Sequence, residues 1–371
     1  MEKKILYIFS SLEYSGAELM YIQAAPFLLN RGYEIHAVAT AMNMGACTDL
    51  FLNAGFRLHH CPLRNWKSFV EVYRFIRTLS GLVQKESITH MHCQVNGLFF
   101  ICAYVAYKNG IKSIYSVNNM FDCRNFMFPY HKLQRVISKK IFNMRFHSGS
   151  DTVYQHEKQY WKNDTEIVYW WYNEKDYYPV TLKEKEKTRN ELNISNNSFV
   201  LMTAGCCSSI KRHGDIIRAV PQIVKVIPNF LFLHLGEGLL ENEEKLLAKE
   251  LGVDNYIRFC GNQTDFRKYL SVADVYTMTS TREGLSNATI DALACGIPAV
   301  LYHVTGLWDY NIDGDNTLQI KEDPSELALA VIKLYNDISL RNTYICRGKQ
   351  LVCSKYQAGA NINRLINVFY Q

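Results

Sequence analysis

Short apolar runs alternate with segments of helical spacing along the chain. Residues 4–9 and 34–39 are apolar runs of strand length, and residues 17–30 between them carry apolar side chains at helical spacing. Residues 88–92 and 112–117 predict further strands. This order of strand, helix and strand predicts a parallel sheet covered by helices on both faces.

The same order restarts after residue 195. Strands are predicted at 198–204, 229–235, 257–260, 274–279 and 299–303, with helices at 215–226 and 239–251. The stretch 181–189, between the two blocks, is charged and poor in apolar side chains. We therefore predict an α/β protein of two Rossmann-like domains with doubly wound parallel sheets, 1–178 and 179–371, with ligands at the carboxyl ends of the strands. The last helix, about 355–371, is expected to pack on the first domain.

Composition excludes several classes of protein. Apolar types make up 48% of the 371 residues, which is enough for a sizeable core. The longest apolar run, 97–107, is far shorter than the ~20 residues of a membrane-spanning helix, and no secretory signal is recognised at the amino terminus. The eleven cysteines never occur as Cys-x-x-Cys, so neither a disulfide framework nor a zinc site is predicted. We expect free thiols and a cytoplasmic protein.

The net charge of +6 lies in the first half of the chain, where residues 51–150 hold 14 basic and 3 acidic side chains. Such a patch suits an anionic partner. A helix predicted at 131–145 carries cations along one side, with apolar residues opposite. We predict that these cations face an anionic membrane, the alternative being an ordinary surface helix packed on the sheet. They are Lys132, Arg135, Lys139 and Lys140. No nucleic-acid-binding motif accompanies the charge, so nucleic acid is not expected.

The most informative motif runs from 280 to 298. Glu283 ends a predicted strand, a Gly-containing turn follows, and the helix after it carries a second acidic residue, Asp291. Backbone N–H groups at the start of that helix would attract a diphosphate. The segment resembles the signature of the retaining glycosyltransferases of family 4, which reads Glu, seven residues, Glu, then Ala-x-Ala-x-Gly-x-Pro. The alternative is a buried helix with one capping carboxylate.

The resemblance implies the GT-B fold, in which two Rossmann-like domains face a cleft. It also implies that Glu283 orients the donor sugar, that Asp291 holds the ribose, and that no metal is required. The donor diphosphate would meet the turn before the helix, formed by Leu285, Ser286, Asn287 and Ala288.

The loop at 204–212 resembles the family's Gly-Arg-x-x-x-x-Lys loop, which clamps the diphosphate. Lys211 stands at the Lys position, whereas Cys206 replaces the Arg. Arg212 would supply the missing charge; alternatively, it is a solvated residue at the start of a helix. Lys211 and Glu283 are the predicted catalytic residues.

Weaker resemblances complete the predicted site. Gly236 lies in a Gly-x-Gly turn, and Gly261 with Asn262 corresponds to the loop beside the nucleotide base. The loop from Tyr14 through Ser15 to Gly16 resembles the family's Gly-Gly-Ala-Glu loop, which approaches donor phosphate or acceptor. Relatives often carry His in the cleft at the position of two polar residues that we assign to the acceptor side, Asn118 and Asn119.

Two further patterns have the form of metal sites. Asp313 and Asp315 have the Asp-x-Asp form of metal-dependent sugar transferases, but Asp, Gly and Asn favour a surface turn here. His90 and His92 lack an accompanying carboxylate, so a hydrogen-bonded sheet edge is the preferred interpretation.

We therefore predict a retaining glycosyltransferase that uses a UDP- or GDP-sugar and no cofactor. Its acceptor would be a glycan or an undecaprenyl-diphosphate-linked oligosaccharide, in bacterial surface polysaccharide assembly at the inner face of the membrane. Two alternatives stay open. The changes at Cys206, Asn118 and Asp291 suit a GT-B domain that binds a nucleotide or partner subunit without catalysis. A nucleotide-sugar epimerase or a phosphorylase could also use this fold.

Overall fold

The computed structural model describes residues 3–13, 16–121 and 127–371. The chain forms two compact α/β units, one made of Met1–Trp171 with Ala358–Gln371 and the other of Tyr172–Gln357. Each unit is a parallel sheet flanked by helices, which confirms the predicted fold class. The limits 1–178 and 179–371 for independent folding domains stay a prediction.

The first unit is built on one parallel sheet. Within the described residues its strands are β1 (Lys3–Phe9), β2 (Tyr33–Ala39), β3 (Arg57–His60), β4 (His90–Cys93), β5 (Lys112–Val117), β6 (Arg145–Ser148) and β7 (Glu166–Ile167). Their order across the sheet is β3-β2-β1-β4-β5-β6-β7. Since β1 lies in the middle, its apolar run is buried on both faces, as the sequence pattern predicts.

Helices connect these strands. They are α1 (Gly16–Leu29), α2 (Thr48–Asn53), α3 (Phe69–Lys85), α4 (Phe99–Lys108), α5 (Phe128–Lys140) and α6 (Asp151–His156), with a 3-10 turn at Asn96–Leu98 and a π-helical turn at Glu157–Trp161. The end of the chain, α14 (Ala358–Leu365) with the π-helical turn Ile366–Tyr370, belongs to the same unit. The Tyr370 hydroxyl anchors it, 3.0 Å from the Tyr7 hydroxyl and 2.5 Å from Nδ1 of His92.

The second unit repeats the design with a different strand count. Within the described residues its strands are β8 (Phe199–Ala204), β9 (Phe230–Leu235), β10 (Ile257–Gly261), β11 (Val275–Met278), β12 (Ala299–Tyr302) and β13 (Leu318–Ile320). They lie in the order β10-β9-β8-β11-β12-β13, and all are parallel. The strand order reverses beside β8, so the loops after β8 and β11 leave neighbouring strands at one edge.

The helices of the second unit are α7 (Leu182–Glu191), α8 (His213–Val224), α9 (Glu241–Glu250), α10 (Phe266–Leu270), α11 (Asn287–Ala294), α12 (Pro324–Asn336) and α13 (Ile338–Lys355), with 3-10 turns at Asp254–Tyr256 and Trp308–Asn311. The charged stretch 181–189 therefore forms most of α7. Among the described residues, no helix combines the length and apolar composition needed to cross a bilayer.

The helix predicted at 131–145 is shorter than its pattern suggests. It ends at Lys140, and Arg145 begins β6. The chain reverses at Asn143, whose backbone φ of 55° lies in the left-handed region that asparagine tolerates. The helical spacing of apolar residues continues across this turn, so the pattern predicts the end of the helix too far along the chain.

The prediction that Arg135 faces a membrane is wrong. Its side chain is 3% exposed, and its guanidinium forms a bidentate ion pair with Glu157, with Nε–Oε2 and Nη2–Oε1 distances of 3.0 Å. The guanidinium carbon also lies 3.9 Å from the centroid of the Trp161 ring. The ion pair with a buried carboxylate 22 residues further along the chain thus explains why Arg135 is buried.

The outward face of α5 also differs from the prediction. The apolar residues opposite the cations were expected to face inward, but two of them, Leu133 and Val136, are exposed. Lys140 is exposed, whereas Lys132 is half-buried and its ammonium lies over the Phe128 ring. Lys139 donates to the backbone carbonyl of Asp164. The helix therefore presents a mixed surface and not a continuous basic stripe.

Replacing Arg135 tests this placement. Arg135→Ala leaves the carboxylate of Glu157 buried without its cation, so we expect it to lower the stability of the unit by about 3–5 kcal/mol. Thermal unfolding measures the effect, and Lys140→Ala on the same helix is the matched control. Equal melting temperatures for the two variants would place Arg135 on the surface.

Candidate functional site

Three loops interlock at the carboxyl edge of the second sheet. The Gly236 N–H, after β9, donates to the carbonyl of Gly261, at the end of β10, over 2.9 Å. Gly236 has a φ of 122°, and a Cβ there would lie 1.9 Å from the carbonyl oxygen of Gly205, after β8. Only glycine fits such an approach. Gly236 and Gly261 therefore shape the floor of the predicted donor site.

Glu283 is held by the loop that follows β12. Its backbone N–H donates to the carbonyl of Thr305 over 2.9 Å. Gly306 has a φ of 87°, and a Cβ there would lie 1.9 Å from the carbonyl oxygen of Glu283. Because Gly306 has no side chain, the backbone of Glu283 can pack closely against it.

Lys211 and Glu283, the two predicted catalytic residues, are in direct contact. Lys211 Nζ lies 2.6 Å from Glu283 Oε1, and the Ser280 hydroxyl donates to the same oxygen over 2.5 Å. The side chains of the pair are 22% and 13% exposed, so both are reachable from solvent. An anionic ligand that enters such a site can compete with the carboxylate for the ammonium group.

Backbone contacts fix the two loops that carry this pair. The Thr281 N–H donates to the Ile210 carbonyl over 2.8 Å, and the Thr279 hydroxyl donates to the Lys211 carbonyl over 3.0 Å. The loops after β8 and β11 therefore form one continuous surface, and Lys211 keeps its position without relying on the ion pair.

Arg212 is directed to other carboxylates. Its guanidinium lies 2.6 Å from Asp215 Oδ2 and 2.6 Å from Glu322 Oε2, and its backbone is left-handed with a φ of 51°. Cys206 is exposed and brings no cation to the Arg position of the family loop. Lys211 is thus the cation of this loop that contacts Glu283, and a role for Arg212 toward a donor stays a prediction.

The turn before α11 has the geometry of an anion site. Ser286 is the N-cap of this helix, and its hydroxyl oxygen accepts from the Thr289 N–H over 3.3 Å. The Tyr310 hydroxyl donates to the Ser286 carbonyl over 2.6 Å and holds the turn from behind. The first N–H groups of a helix have no intrahelical acceptor, so this end attracts negative charge. Leu285, Asn287 and Ala288 are half-buried around it.

Asp291 lies further along α11 and is half-buried. Burial raises the pKa of its carboxyl well above the usual range, and the neighbouring carboxylate of Asp176 adds to this effect. Its ionised form is therefore costly in the folded chain, and a ligand that donates hydrogen bonds to it would reduce that cost.

Asn262 lies beside the glycine floor. Its backbone N–H donates to Glu237 Oε1 over 3.2 Å, and its side-chain amide donates to Glu237 Oε2 over 3.1 Å. Both residues are exposed, so this contact lies at the edge of the predicted base position and leaves that position open to solvent.

The predicted residues of the first unit form a separate group. Gly16 is exposed at the start of α1, whereas Tyr14 and Ser15 lie outside the described residues. The Asn118 side chain donates to Gln94 Oε1 over 3.3 Å, and Asn119 is exposed. Their acceptor role stays a prediction.

The histidines at the carboxyl ends of β4 to β6 belong to a buried network. Nε2 of His92 lies 2.8 Å from the Ser116 hydroxyl, which lies 2.7 Å from Nδ1 of His147. Burial lowers the pKa of His147 to about 4, so its ring is neutral at physiological pH. These contacts support the hydrogen-bonded interpretation of His92. Asp313 likewise forms an ion pair with Lys355 at 3.0 Å.

Two features of the second unit escaped the sequence analysis. Ser280 donates to Glu283, and it could have been suspected because it begins the same motif. The second feature is a buried group made of Cys207, His213, His234 and Glu244. Its members come from a loop, a strand and two helices, and no spacing rule connects them.

The raised pKa of Asp291 yields a pH-dependent prediction. The folded chain binds this proton more tightly than the unfolded chain, so stability falls as pH rises above the unfolded pKa of about 3.9. We expect Asp291→Asn to melt at a higher temperature than the wild type at pH 8 without ligand, with a difference that shrinks toward pH 4. The exposed Asp315→Asn is the control. An Asp291→Asn variant that melts no higher than wild type at pH 8 contradicts the assignment.

Comparison with known proteins agrees with this geometry. Residues 184–351, within the second unit, match the family model described as "Glycosyl transferases group 1". The chain is 23% identical over 345 residues to the "Putative glycosyltransferase EpsD" of Bacillus subtilis (strain 168), covering 91% of this chain and 88% of that protein. It is 31% identical over 173 residues to the "Lipopolysaccharide core biosynthesis glycosyltransferase LpsE" of Rhizobium meliloti (strain 1021), covering 46% and 50% of the two chains.

A solved structure shows the same fold. The crystal structure of Anabaena HepE in complex with UDP and glucose superposes with a TM-score of 0.83, covering 99% of both chains at 17% identity. The family match, the curated relatives and the two parallel-sheet units lead to one conclusion. The match to the glycosyl transferases group 1 covers residues 184–351, and the chain is a glycosyltransferase with the GT-B fold.

Proposed function

We propose that this glycosyltransferase moves a sugar, with retention of anomeric configuration, from a nucleoside diphosphate sugar to a hydroxyl of a glycan acceptor. The observation that carries the proposal is the contact between Lys211 and Glu283 at the carboxyl edge of the second sheet. It joins a cation suited to a diphosphate with a carboxylate suited to sugar hydroxyls, beside a helix N-terminus.

The donor would enter by partner exchange. A diphosphate carries at least two negative charges, so it competes with Glu283 for the ammonium of Lys211. The N-terminus of α11 would take a second phosphate oxygen. Glu283, released from Lys211 but still held by Ser280 and Thr305, would then accept hydrogen bonds from the donor sugar.

The chemical step needs stabilisation of a leaving group. The bond between the anomeric carbon and the β-phosphate oxygen breaks, the acceptor hydroxyl oxygen bonds to that carbon, and the hydroxyl proton passes to an oxygen of the departing diphosphate. Negative charge grows on the diphosphate as it leaves, and Lys211 with the α11 N-terminus opposes that charge. We assign no metal to this step, and Asp291 would hold the ribose hydroxyls.

The proposed donor is a UDP-sugar, with a GDP-sugar as the second choice. The neighbour HepE was crystallised with UDP and glucose, which supports uridine. The floor beside Gly261 consists of backbone and of the exposed Asn262–Glu237 contact, so base choice has to be measured with a donor panel.

Substituting the two cations in turn tests the donor site. Lys211→Met removes the charge that opposes the leaving diphosphate, so we expect turnover to fall roughly 100- to 1,000-fold. Arg212→Met, its sequence neighbour, removes a guanidinium that two carboxylates already hold, so we expect a much smaller loss. Steady-state kinetics with UDP- and GDP-sugars measures both, with Arg212→Met as the control for disruption of the loop.

Glu283→Gln provides the companion test. Undiminished transfer by this variant would contradict its role toward the donor sugar. Product analysis completes the assay: the anomeric configuration of the product tests retention, and transfer without orthophosphate separates the enzyme from a phosphorylase. Epimerised donor in the absence of acceptor would identify an epimerase, and binding without turnover would identify a nucleotide-binding domain.

The proposed acceptor is a lipid-linked glycan of bacterial surface polysaccharide assembly. The relative LpsE is named for lipopolysaccharide core biosynthesis, which supports a surface glycan. Such an acceptor brings the enzyme to the inner face of an anionic membrane, so the first unit should carry a surface for lipid.

The start of α3 offers that surface. Four apolar side chains are exposed there, with Trp66 at 67% and Phe69 at 93%, beside Val70 and Tyr73. We define these residues as the aromatic patch. Four exposed cations lie in the same stretch of the chain, namely Arg64, Lys67, Arg74 and Arg77. Aromatic side chains flanked by cations suit the interface of an anionic bilayer, and the patch is more apolar than the outward face of α5 that the sequence favoured.

Vesicle binding tests the aromatic patch against α5. Each cation near an anionic surface contributes about 1 kcal/mol, so the variant Arg64→Gln/Lys67→Gln/Arg77→Gln should partition roughly 100-fold more weakly onto phosphatidylglycerol vesicles. Phe69→Ser should also weaken binding, because it removes an apolar anchor. Lys139→Gln/Lys140→Gln on α5 is the matched control and should bind like the wild type.

Co-sedimentation at low and high salt measures these partition coefficients. If the α3 and α5 variants lost vesicle binding equally, the membrane contact would depend on overall positive charge and not on the aromatic patch. No vesicle binding by the wild type at low salt would remove the lipid surface from the proposal and leave the donor chemistry untouched.

A further inference from the structure

Four potential metal ligands converge beneath the loop that carries Lys211. Cys207 follows β8, His213 begins α8, His234 lies in β9 and Glu244 lies in α9. One ligand atom from each residue lies within 4.8 Å of the other three, and all four residues are buried. Among the described residues, this is the group whose side chains could hold a metal ion.

The distances suit a small tetrahedral ion. His234 Nε2 lies 3.0 Å from Glu244 Oε2, His213 Nδ1 lies 3.6 Å from Glu244 Oε1, and Cys207 Sγ lies 4.0 Å from His234 Nε2. Zinc bonds of 2.0–2.3 Å in tetrahedral geometry separate neighbouring ligand atoms by about 3.3–3.8 Å. The observed distances between ligand atoms, 3.0 to 4.0 Å, span these values. Side-chain shifts of about 1 Å would therefore bring the four ligand atoms to tetrahedral positions around a zinc ion.

The histidines supply an independent reason to expect a ligand. His213 is 1% exposed, and in the described part of the chain neither of its ring nitrogens has a hydrogen-bond partner. Among the described residues, Nδ1 of His234 is also buried without a hydrogen-bond partner. Buried polar atoms are normally satisfied, and a bound metal would satisfy Nδ1 of His213.

Charge balance and access also favour a dication. One thiolate and one carboxylate neutralise Zn²⁺, which removes the cost of burying a charge. His213 and Glu244 also line a cavity of about 450 Å³, which gives an ion a route from solvent. The ligand types, two nitrogens with one sulfur and one oxygen, suit zinc better than magnesium or calcium.

We propose that Cys207, His213, His234 and Glu244 bind a structural zinc ion. Binding releases the thiol proton of Cys207 to solvent and moves the ring proton of His234 from Nε2 to Nδ1, so that Sγ and Nε2 can ligate. All four protein ligands are used, which leaves no open position for catalysis. The ion would tie the loop between β8 and α8 to β9 and α9, and so brace the segment that positions Lys211.

Metal loading of the purified chain tests the site. After chelator treatment, incubation with Zn²⁺ and dialysis, we expect about one zinc per chain by elemental analysis. Cobalt replacing zinc should give an intense thiolate-to-cobalt absorption band. Cys207→Ser should abolish that band, and both Cys207→Ser and His213→Ala should bind zinc about 100-fold more weakly, because each removes one ligand of four.

Cys206→Ser is the matched control, because this neighbouring cysteine is exposed and outside the group. It should keep the zinc content and the cobalt band of the wild type. At the same zinc concentration, zinc should also raise the melting temperature of the wild type and of Cys206→Ser more than that of Cys207→Ser.

Three results would overturn the site: wild-type zinc content below about 0.1 per chain after loading, a cobalt spectrum without the thiolate band, or equal zinc affinity for Cys207→Ser and Cys206→Ser. The wild-type spectrum remains decisive even where a variant fails to fold. None of these measurements uses sugar transfer, so failure here leaves the proposed function standing.

Discussion

The ion pair between Lys211 and Glu283 depends on the order of strands in the second sheet. The two residues are 72 positions apart, and they meet because β8 and β11 are neighbours whose loops leave the same edge. Backbone bonds between those loops and the close approach of Gly306 to Glu283 hold the pair in place. In this arrangement the cation and the carboxylate are each other's partners, and the proposed exchange with a donor diphosphate would start from it.

Much of this could be predicted from sequence because its signals are local. Buried parallel strands appear as apolar runs, so the observed β1, β5 and β8 lie within one residue of their predicted ends. The assignment of Lys211 and Glu283 to one site followed from the fold, since residues after parallel strands gather at one edge, whereas their direct contact emerged only from the structure. Gly236 is identified in the sequence as part of a Gly-x-Gly turn, whereas its close approach to Gly205 emerged only from the structure.

What failed depended on partners distant in sequence. Helical spacing placed Arg135 with the surface lysines, but the deciding contact is Glu157, which no local pattern connects to it. The contacts of Arg212 with Asp215 and Glu322 were also missed, because they depend on its left-handed backbone; its role toward a donor stays a prediction. The group around Cys207 is the extreme case, because its four members come from a loop, a strand and two helices and follow no ligand spacing. Charge and thiol chemistry are therefore harder to place from sequence than the strands themselves.

A structure of the protein bound to UDP would show whether Lys211 exchanges partners. We predict that Lys211 Nζ moves from its position 2.6 Å from Glu283 to within about 3 Å of a β-phosphate oxygen, while Glu283 keeps its hydrogen bond from Ser280. UDP bound with the Lys211–Glu283 pair intact and the phosphates elsewhere would contradict it.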